Sequence, residues 1–533
     1  MSVDMDRTII TDLGLISQVS YLLFGNNPLV KWDSFNSFID DEINYTLNSS
    51  YTVIDYTSHW TDMQAILLAK NDSGGNPTGE YVIAFRGTEP NSALDWITNG
   101  LTGLINYNPQ VSAAKSFVLE MMSEHSISAD RLTLTGHSLG GIITQAVGAD
   151  LHIQGYSFNP YGANLLSTLP PMPLNYSSVL GQVLDLFEMG DKNDPWIKDN
   201  LLTVSYQDNG SLYGDILSNL LTTFSEFIAG NDHLGGVLPV FGDNDGLLDG
   251  HGIPGLNAAI SRYNEILAKF TEEATYSELS TAYLLGGKDG FNSVNHALSA
   301  LQIEDVPDGS LSLKLFADSP IGDLVLFSQN EIKSLAQSDI AYRYALVHLN
   351  PFAVLGVDYS RFNQNGELDL INPATGQGLS QQYLEDRAKF LALKNELAVA
   401  DRPWQETIPS DMHGYYEDRG SQFAINNTYN ATRVPASEYI FGSDGSDIIE
   451  SFRDPRVPEV SFEDHMFGGG GIDVIRTFGG NDYLEGGDGD DILDGGEGDD
   501  TMVGGAGVDT YYIKGNDRII DQGKNNIEVA LEI

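Results

Sequence analysis

The chain has 533 residues, 41% of them hydrophobic and 19% charged, which is enough apolar material for packed cores and for more than one domain. A formal net charge of −48 argues against the basic footprint of a nucleic-acid binder, and the absence of cysteine excludes disulfides and thiolate metal sites. The opening "MSVDMDRTIITDLGL" has no basic segment followed by an apolar one, so no secretory signal is expected there. No apolar run approaches the ~18 residues of a membrane helix.

Residues 1 to about 300 alternate strand and helix patterns. "TDMQAILLAK" (61–70) and "YVIAFRG" (81–87) read as strands separated by the turn-rich "NDSGGNPTGE". Over 111–125 the helical spacing puts Val111, Ala114, Phe117, Val118, Met121 and Met122 on one face. "RLTLT" (131–135) is strand-like and "GIITQAVGADL" (141–151) helix-like. "QGYSFNP" (154–160) and "NLLTVSYQ" (200–207) read as further strands. This alternation implies an α/β sheet covered by helices.

Between strand 131–135 and helix 141–151 lies "GHSLG" (136–140), a G-x-S-x-G pattern. A serine on a tight strand-to-helix turn, flanked by glycines, is the arrangement of a nucleophile elbow. Ser138 is the candidate nucleophile, and the N–H of Leu139 is one candidate oxyanion donor. Together, "YVIAFRGTEPNSALDWITN" (81–99) and "GHSLGG" (136–141) resemble the class 3 (fungal-type) lipases, which include phospholipase A1-like α/β-hydrolases.

The resemblance spans about 60–260. It implies that Thr88, after "RG", supplies the second oxyanion donor. It also implies a lid in 97–110, where Leu101, Leu104 and Ile105 are apolar. An ordinary core helix is the competing reading of that lid. The triad acid and base would follow the serine, acid first. Asp215 in "GDIL" is the preferred acid, Asp208 the runner-up, with Asp191 and Asp194 behind them. His251, at the start of a helix-like segment, is preferred as base over His233. His125 and His137 are poor candidates.

Segments 330–349 and 381–399 read as helices within a connector (301–435) to which no chemistry is assigned. Residues 468–512 then divide into five nonapeptides. Position four is always Gly. Position six is Asp473, Asp482, Asp491, Asp500 or Asp509. Position eight is Ile475, Leu484, Leu493, Met502 or Tyr511. A degenerate copy, 442–450, lies upstream. Glycine permits the turns, the apolar residue fills a thin core, and stacked aspartates offer hard oxygen ligands suited to Ca²⁺. The segment carries eleven acidic residues and one basic residue, Arg476, so it should repel itself without a cation. The pattern indicates a parallel β-roll.

It resembles the RTX (haemolysin-type) repeats. That resemblance implies Ca²⁺ as cofactor, the five aspartates as ligands, and export through a type I secretion apparatus using an uncleaved C-terminal signal. The ending "NNIEVALEI" is compatible with such a signal.

The expected architecture is therefore an α/β-hydrolase domain (1–300), a mixed connector (301–435) and a C-terminal all-β parallel β-roll with secretion signal (436–533). The expected protein is a secreted serine lipase or phospholipase A1 that meets lipid or a lipid–water interface. An esterase for soluble or polymeric esters, and an inactive Ca²⁺-dependent surface protein, remain as alternatives.

Overall fold

The computed structural model describes residues 7–23, 50–58, 63–87, 107–137, 139–158, 196, 200–208, 236–242, 253–287, 290–318, 324–399, 413–427, 437–451, 462–521 and 528–531. The chain divides into two compact units. One comprises Met1–Leu284, Lys288–Ser293 and Pro320–Asp323. The other comprises Leu285–Gly287, Val294–Ser319 and Leu324–Ile533.

The first unit is built on a seven-stranded sheet whose spatial order follows the chain: β1 (Tyr51–Ser58), β2 (Gln64–Asn71), β3 (Pro77–Phe85), β4 (Leu132–His137), β5 (Gly155–Phe158), β6 (Leu201–Asp208) and β7 (Gly236–Gly242). The first three strands are antiparallel neighbours, and β3 to β7 run parallel. Ala65 to Ala69 of β2 are all buried, as expected of a strand covered on both faces.

Helices α2 (Tyr107–Glu124) and α3 (Leu139–Leu151) pack on one face, where Val111, Ala114, Phe117 and Val118 meet Ile143, Val147, Phe85 and Leu134. Five of the six residues expected on the apolar face of α2 are buried, and Met122 is half-buried. On the opposite face lies α1 (Arg7–Leu23). Its Ser17 hydroxyl hydrogen-bonds that of Thr135 in β4 at 2.9 Å. Beside it packs α4 (Ile253–Ala268), joined through Asn257 to Gln18 at 2.8 Å and Asn264 to Thr11 at 2.7 Å. The buried Tyr263 of α4 accepts the Phe241 N–H and the Ser280 hydroxyl, which ties β7 to α5 (Tyr276–Leu285).

The second unit takes up α6 (Gly290–Ala300) from Val294 on and continues to a two-stranded antiparallel sheet of β8 (Ser312–Leu315) and β9 (Phe352–Leu355). The helix expected over 330–349 is two helices, α7 (Gln329–Ser338) and α8 (Ile340–Val347). Asp339 between them has extended backbone, and its carboxylate accepts the Ala341 N–H at 2.7 Å. It thus ends one helix and caps the next. Helix α9 (Gln381–Val399) matches the expected span.

The hairpin β10 (Gly414–Asp418) and β11 (Phe423–Asn427) begins one sheet of the roll. The sheet continues in parallel through β12 (Glu438–Phe441), β14 (His465–Gly470), β16 (Tyr483–Asp488), β18 (Thr501–Ala506) and β20 (Arg518–Ile520). The intervening strands β13 (Ile448–Glu450), β15 (Val474–Arg476), β17 (Ile492–Asp494), β19 (Thr510–Ile513) and β21 (Glu528–Leu531) form the second, also parallel, sheet. Two nonapeptides therefore make one coil. All five position-eight side chains are fully buried between the sheets, in a file with Ile440, Ile449 and Met466.

Candidate active site and calcium roll

β4 ends at His137 and α3 begins at Leu139. Gly136 and Gly140 make this short strand-to-helix step possible. A Cβ on Gly136 would stand 2.9 Å from the Phe85 carbonyl oxygen. One on Gly140 would stand 2.8 Å from the Phe85 carbonyl carbon and collide with its oxygen. Only residues without a side chain let the first turn of α3 sit against the end of β3, where "RG" leads towards Thr88. Polar groups at this junction are satisfied: the Thr144 hydroxyl donates to Gly140 O at 2.9 Å, and Ser157 donates to Gly141 O at 2.9 Å. The buried Gln145 donates to Thr203 at 2.8 Å, which pins α3 to β6.

Ser138, Thr88, Asp215 and His251 lie outside the described residues, as do His233, Asp191, Asp194 and the lid span 97–106. The last four residues of the expected lid, 107–110, are the first turn of α2 instead, and Gln110 is buried there. The backbone of Leu139 opens α3. Asp208 is the last residue of β6. Its strand aligns Val204, through Phe158, with His137, so Asp208 lies four residues further toward the carboxyl edge, about 13 Å. His251 lies in the connection between β7 and α4. The connections that hold Ser138, Asp215 and His251, and the residue Asp208, all follow the carboxyl ends of parallel strands, the edge where open α/β sheets bind ligands. His137 is buried, and His125 stands 3.8 Å from Asp55 near the end of α2.

In the roll, position-six aspartates stack in two files. One contains Asp447, Asp473, Asp491 and Asp509. The other contains Asp464, Asp482, Asp500 and Asp517. Within each file an Oδ1 accepts the N–H of the aspartate one coil earlier, at 2.7–3.0 Å. The second oxygen, Oδ2, of Asp473, Asp482, Asp491, Asp500 and Asp509 is buried and has no hydrogen-bond partner.

Burial without a partner disfavours the charged form. It raises Asp473 to about 6 and Asp491 and Asp500 to about 7, and it pushes Asp482 and Asp509 up as well. The first glycine of the repeat makes the room: a Cβ on Gly468, Gly486, Gly495 or Gly504 would strike the Oδ2 of the aspartate in its own turn. The position-four glycines have φ between 103° and 148°, a region closed to most side chains. Buried, unpaired, hard oxygen donors in turns of this shape fit Ca²⁺.

Asp464 and Asp517 join the files although they fall outside the five clear nonapeptides. Their signals are faint. "EVSFEDHMF" (459–467) keeps only the position-six Asp and position-eight Met466, and "YIKGNDRII" (512–520) falls one residue short of register. At one end of each file, at Asp447 and at Asp517, the protein supplies its own donors. Ser443 N–H and Oγ donate to Asp447 Oδ2 at 2.7 and 2.8 Å, and Lys514 N–H donates to Asp517 Oδ2 at 2.7 Å.

Residues 461–493 and 476–511 match the family model of the RTX calcium-binding nonapeptide repeat (4 copies), and such repeats bind calcium. Residues 39–167 match the model of the Tle-like phospholipase domain. That segment contains Thr88, Ser138 and Leu139 but ends before Asp208, Asp215 and His251. Among solved structures the chain is similar to a mutant form of MDLA from Penicillium cyclopium. The identity is 14% over 45% of this chain and 80% of that one, with a TM-score of 0.24. It is also similar to the extracellular lipase LipA from Serratia marcescens, at 13% identity over 95% of this chain and 66% of that one, with a TM-score of 0.25. No curated protein matches the chain. Among the described residues no helix is long and apolar enough to cross a membrane.

Proposed function

We propose that this chain, in which a phospholipase-like segment precedes RTX calcium-binding repeats, is a secreted serine hydrolase of lipid esters. The observation that carries this reading is the seat of α3 on the end of β3 through Gly136 and Gly140, on either side of Ser138. In the proposed reaction His251, held by Asp215 or by Asp208, takes the Ser138 proton as the hydroxyl attacks the ester carbonyl. The N–H groups of Leu139 and Thr88 receive the developing oxyanion, helped by the positive end of α3. Alcohol leaves with the proton from His251, and water releases the acyl group through the same base.

The orphaned Oδ2 atoms of Asp473, Asp482, Asp491, Asp500 and Asp509 would hold Ca²⁺, whose charge would offset that of the files and allow the roll to fold after export by a type I apparatus. Millimolar extracellular calcium suits this role, since extracellular modules bind in the ~10⁻⁴–10⁻³ M range.

The test is ester release from phospholipid vesicles and from emulsified triglyceride, in millimolar Ca²⁺. Ser138→Ala and His251→Ala should each lose about 10⁴-fold or more in kcat. Of Asp215→Asn and Asp208→Asn, only the true acid should approach that loss. A folded, calcium-loaded wild type that hydrolyses neither lipid overturns the lipid reading. Retained activity in Ser138→Ala overturns the serine mechanism.

A further inference from the structure

Helix α9 lies across the outer face of the sheet formed by β10, β11, β12, β14 and β16. Its contacts step along that sheet in order. Ser380, just before the helix, donates to Glu485 of β16 at 2.6 Å. Asp386 pairs with His465 of β14 at 2.6 Å, and Tyr383 meets Phe441 of β12 and Phe467 of β14 edge-on. Arg387 pairs with Asp418 of β10 at 2.5 Å and covers the Phe441 ring. Phe390 stacks on Phe423 and Phe441, and Lys394 lies 5.6 Å from the Phe423 ring of β11. From Ser380 to Lys394 the chain advances about 21 Å as helix. Four strand spacings amount to about 19 Å. Helix and sheet are thus matched in length, with at least one side-chain contact on each strand.

Two features make this contact conditional. First, α9 buries Asp386 and Arg387 and half-buries Lys394, groups that a helix exposes when it stands alone. Arg387 and Lys394 also donate to the carbonyls of Val347 and Leu349 around the end of α8. The partners of Asp386 and Arg387, however, are a histidine and an aspartate of the sheet, and a buried charge that loses its partner is costly. Second, β14 and β16 belong to the repeats. Asp482 immediately precedes β16, Asp473 closely follows β14, and both carry an orphaned Oδ2. Tyr483 and Glu485 occupy positions seven and nine of their nonapeptide, where the side chain points out of the roll toward α9 rather than into its core.

We propose that α9 is a calcium-dependent clasp: it is docked only while the repeats are folded around Ca²⁺, and its docking tightens calcium binding by the roll. This gives the connector a role, since α9 is held on one side by the segment around α8 and on the other by the repeats. It rests on the calcium-binding reading of the aspartate files. The reciprocal effect follows from linkage, because whatever Ca²⁺ does for α9 docking, docking does for Ca²⁺ affinity.

Hydrogen exchange of the full chain, read by peptide across a calcium titration, tests this. Protection of 381–399 should be lost together with that of 465–512 when EDTA removes calcium. Phe390→Ala, which touches no aspartate of either file, should raise the calcium midpoint of the 465–512 peptides by about fivefold or more. Ser380→Ala, which removes the bond to Glu485 and the one accepted from the Tyr383 N–H, should shift it in the same direction by less, and it serves if Phe390→Ala does not fold. The clasp is overturned if 381–399 stays protected in EDTA while 465–512 exchanges freely, or if neither variant moves the midpoint. If 465–512 shows no response to calcium at all, the calcium reading itself fails and the clasp fails with it.

Discussion

The elbow of the seven-stranded sheet and the aspartate files of the roll both depend on glycine, but they use it over very different stretches of chain. At the elbow, Gly136 and Gly140 admit the Phe85 carbonyl, some fifty residues earlier in sequence. In the roll, a position-four glycine faces the carbonyl of its counterpart eighteen residues before, as Gly489 faces Gly471 and Gly507 faces Gly489. The proposed hydrolase site draws on separate strand ends and occurs once. The roll is assembled repeatedly, from one local rule. A defect at the elbow is therefore confined to one junction, whereas a lost carboxylate in the roll breaks a file that its neighbours share.

The sharpest way to break this contrast is Asp491→Asn. Asp491 carries an orphaned Oδ2 and sits mid-file, bonded to Asp473 on one side and Asp509 on the other. Far-UV circular dichroism should show the calcium needed to fold the roll rising at least tenfold, or the transition vanishing. An unchanged titration would show that the files do not act as units.

Next comes Gly140→Ala. Its methyl group would strike the Phe85 carbonyl, so the first unit should lose about 2 kcal/mol or more in denaturant unfolding. Ester hydrolysis should fall further than stability alone accounts for, because α3 must shift. Gly489→Ala should leave that unit's unfolding unchanged and weaken only the calcium-dependent transition.

The smallest expected effect concerns pH. In the calcium-free roll, burial holds Asp473 near 6 and Asp491 and Asp500 near 7, against an ordinary value of 3.8. A carboxyl group raised on folding favours the fold when protonated. The contribution is complete below about pH 4 and is lost as pH rises through 6 to 7. Without calcium, the roll should be unfolded at pH 7.5 and should regain part of its β structure in far-UV circular dichroism at pH 5. With saturating calcium the order should reverse, since the metal binds the deprotonated form.

Much of this was legible in the sequence because the relevant forces act locally. The nonapeptide spacing identifies the core-facing Ile475, Leu484, Leu493, Met502 and Tyr511, and all five are buried. The G-x-S-x-G pattern places a strand before the serine and a helix after it, as observed for β4 and α3. The helical periodicity of 330–349 hid a break at Asp339, because the apolar pattern continues through a residue whose carboxylate prefers to cap. The tail of the proposed lid was likewise absorbed into α2, whose buried face extends back to Gln110 and Val111.

By itself, the sequence determined what repeats at short range: the glycine turns, the inward apolar file and the identity of the aspartates that line up. Each depends on neighbours within one coil of about eighteen residues and on backbone geometry that glycine alone allows. Tertiary structure decided what depends on residues far apart in the chain. It chose which carboxylates are left unpaired: Ser443 and Lys514 close Asp447 and Asp517, while five Oδ2 atoms inside the files find no protein donor. It also brought β3 against α3 and laid α9 over the roll. No sequence period specifies those contacts, because they arise when separate segments bury their apolar faces and pair their charges across the fold.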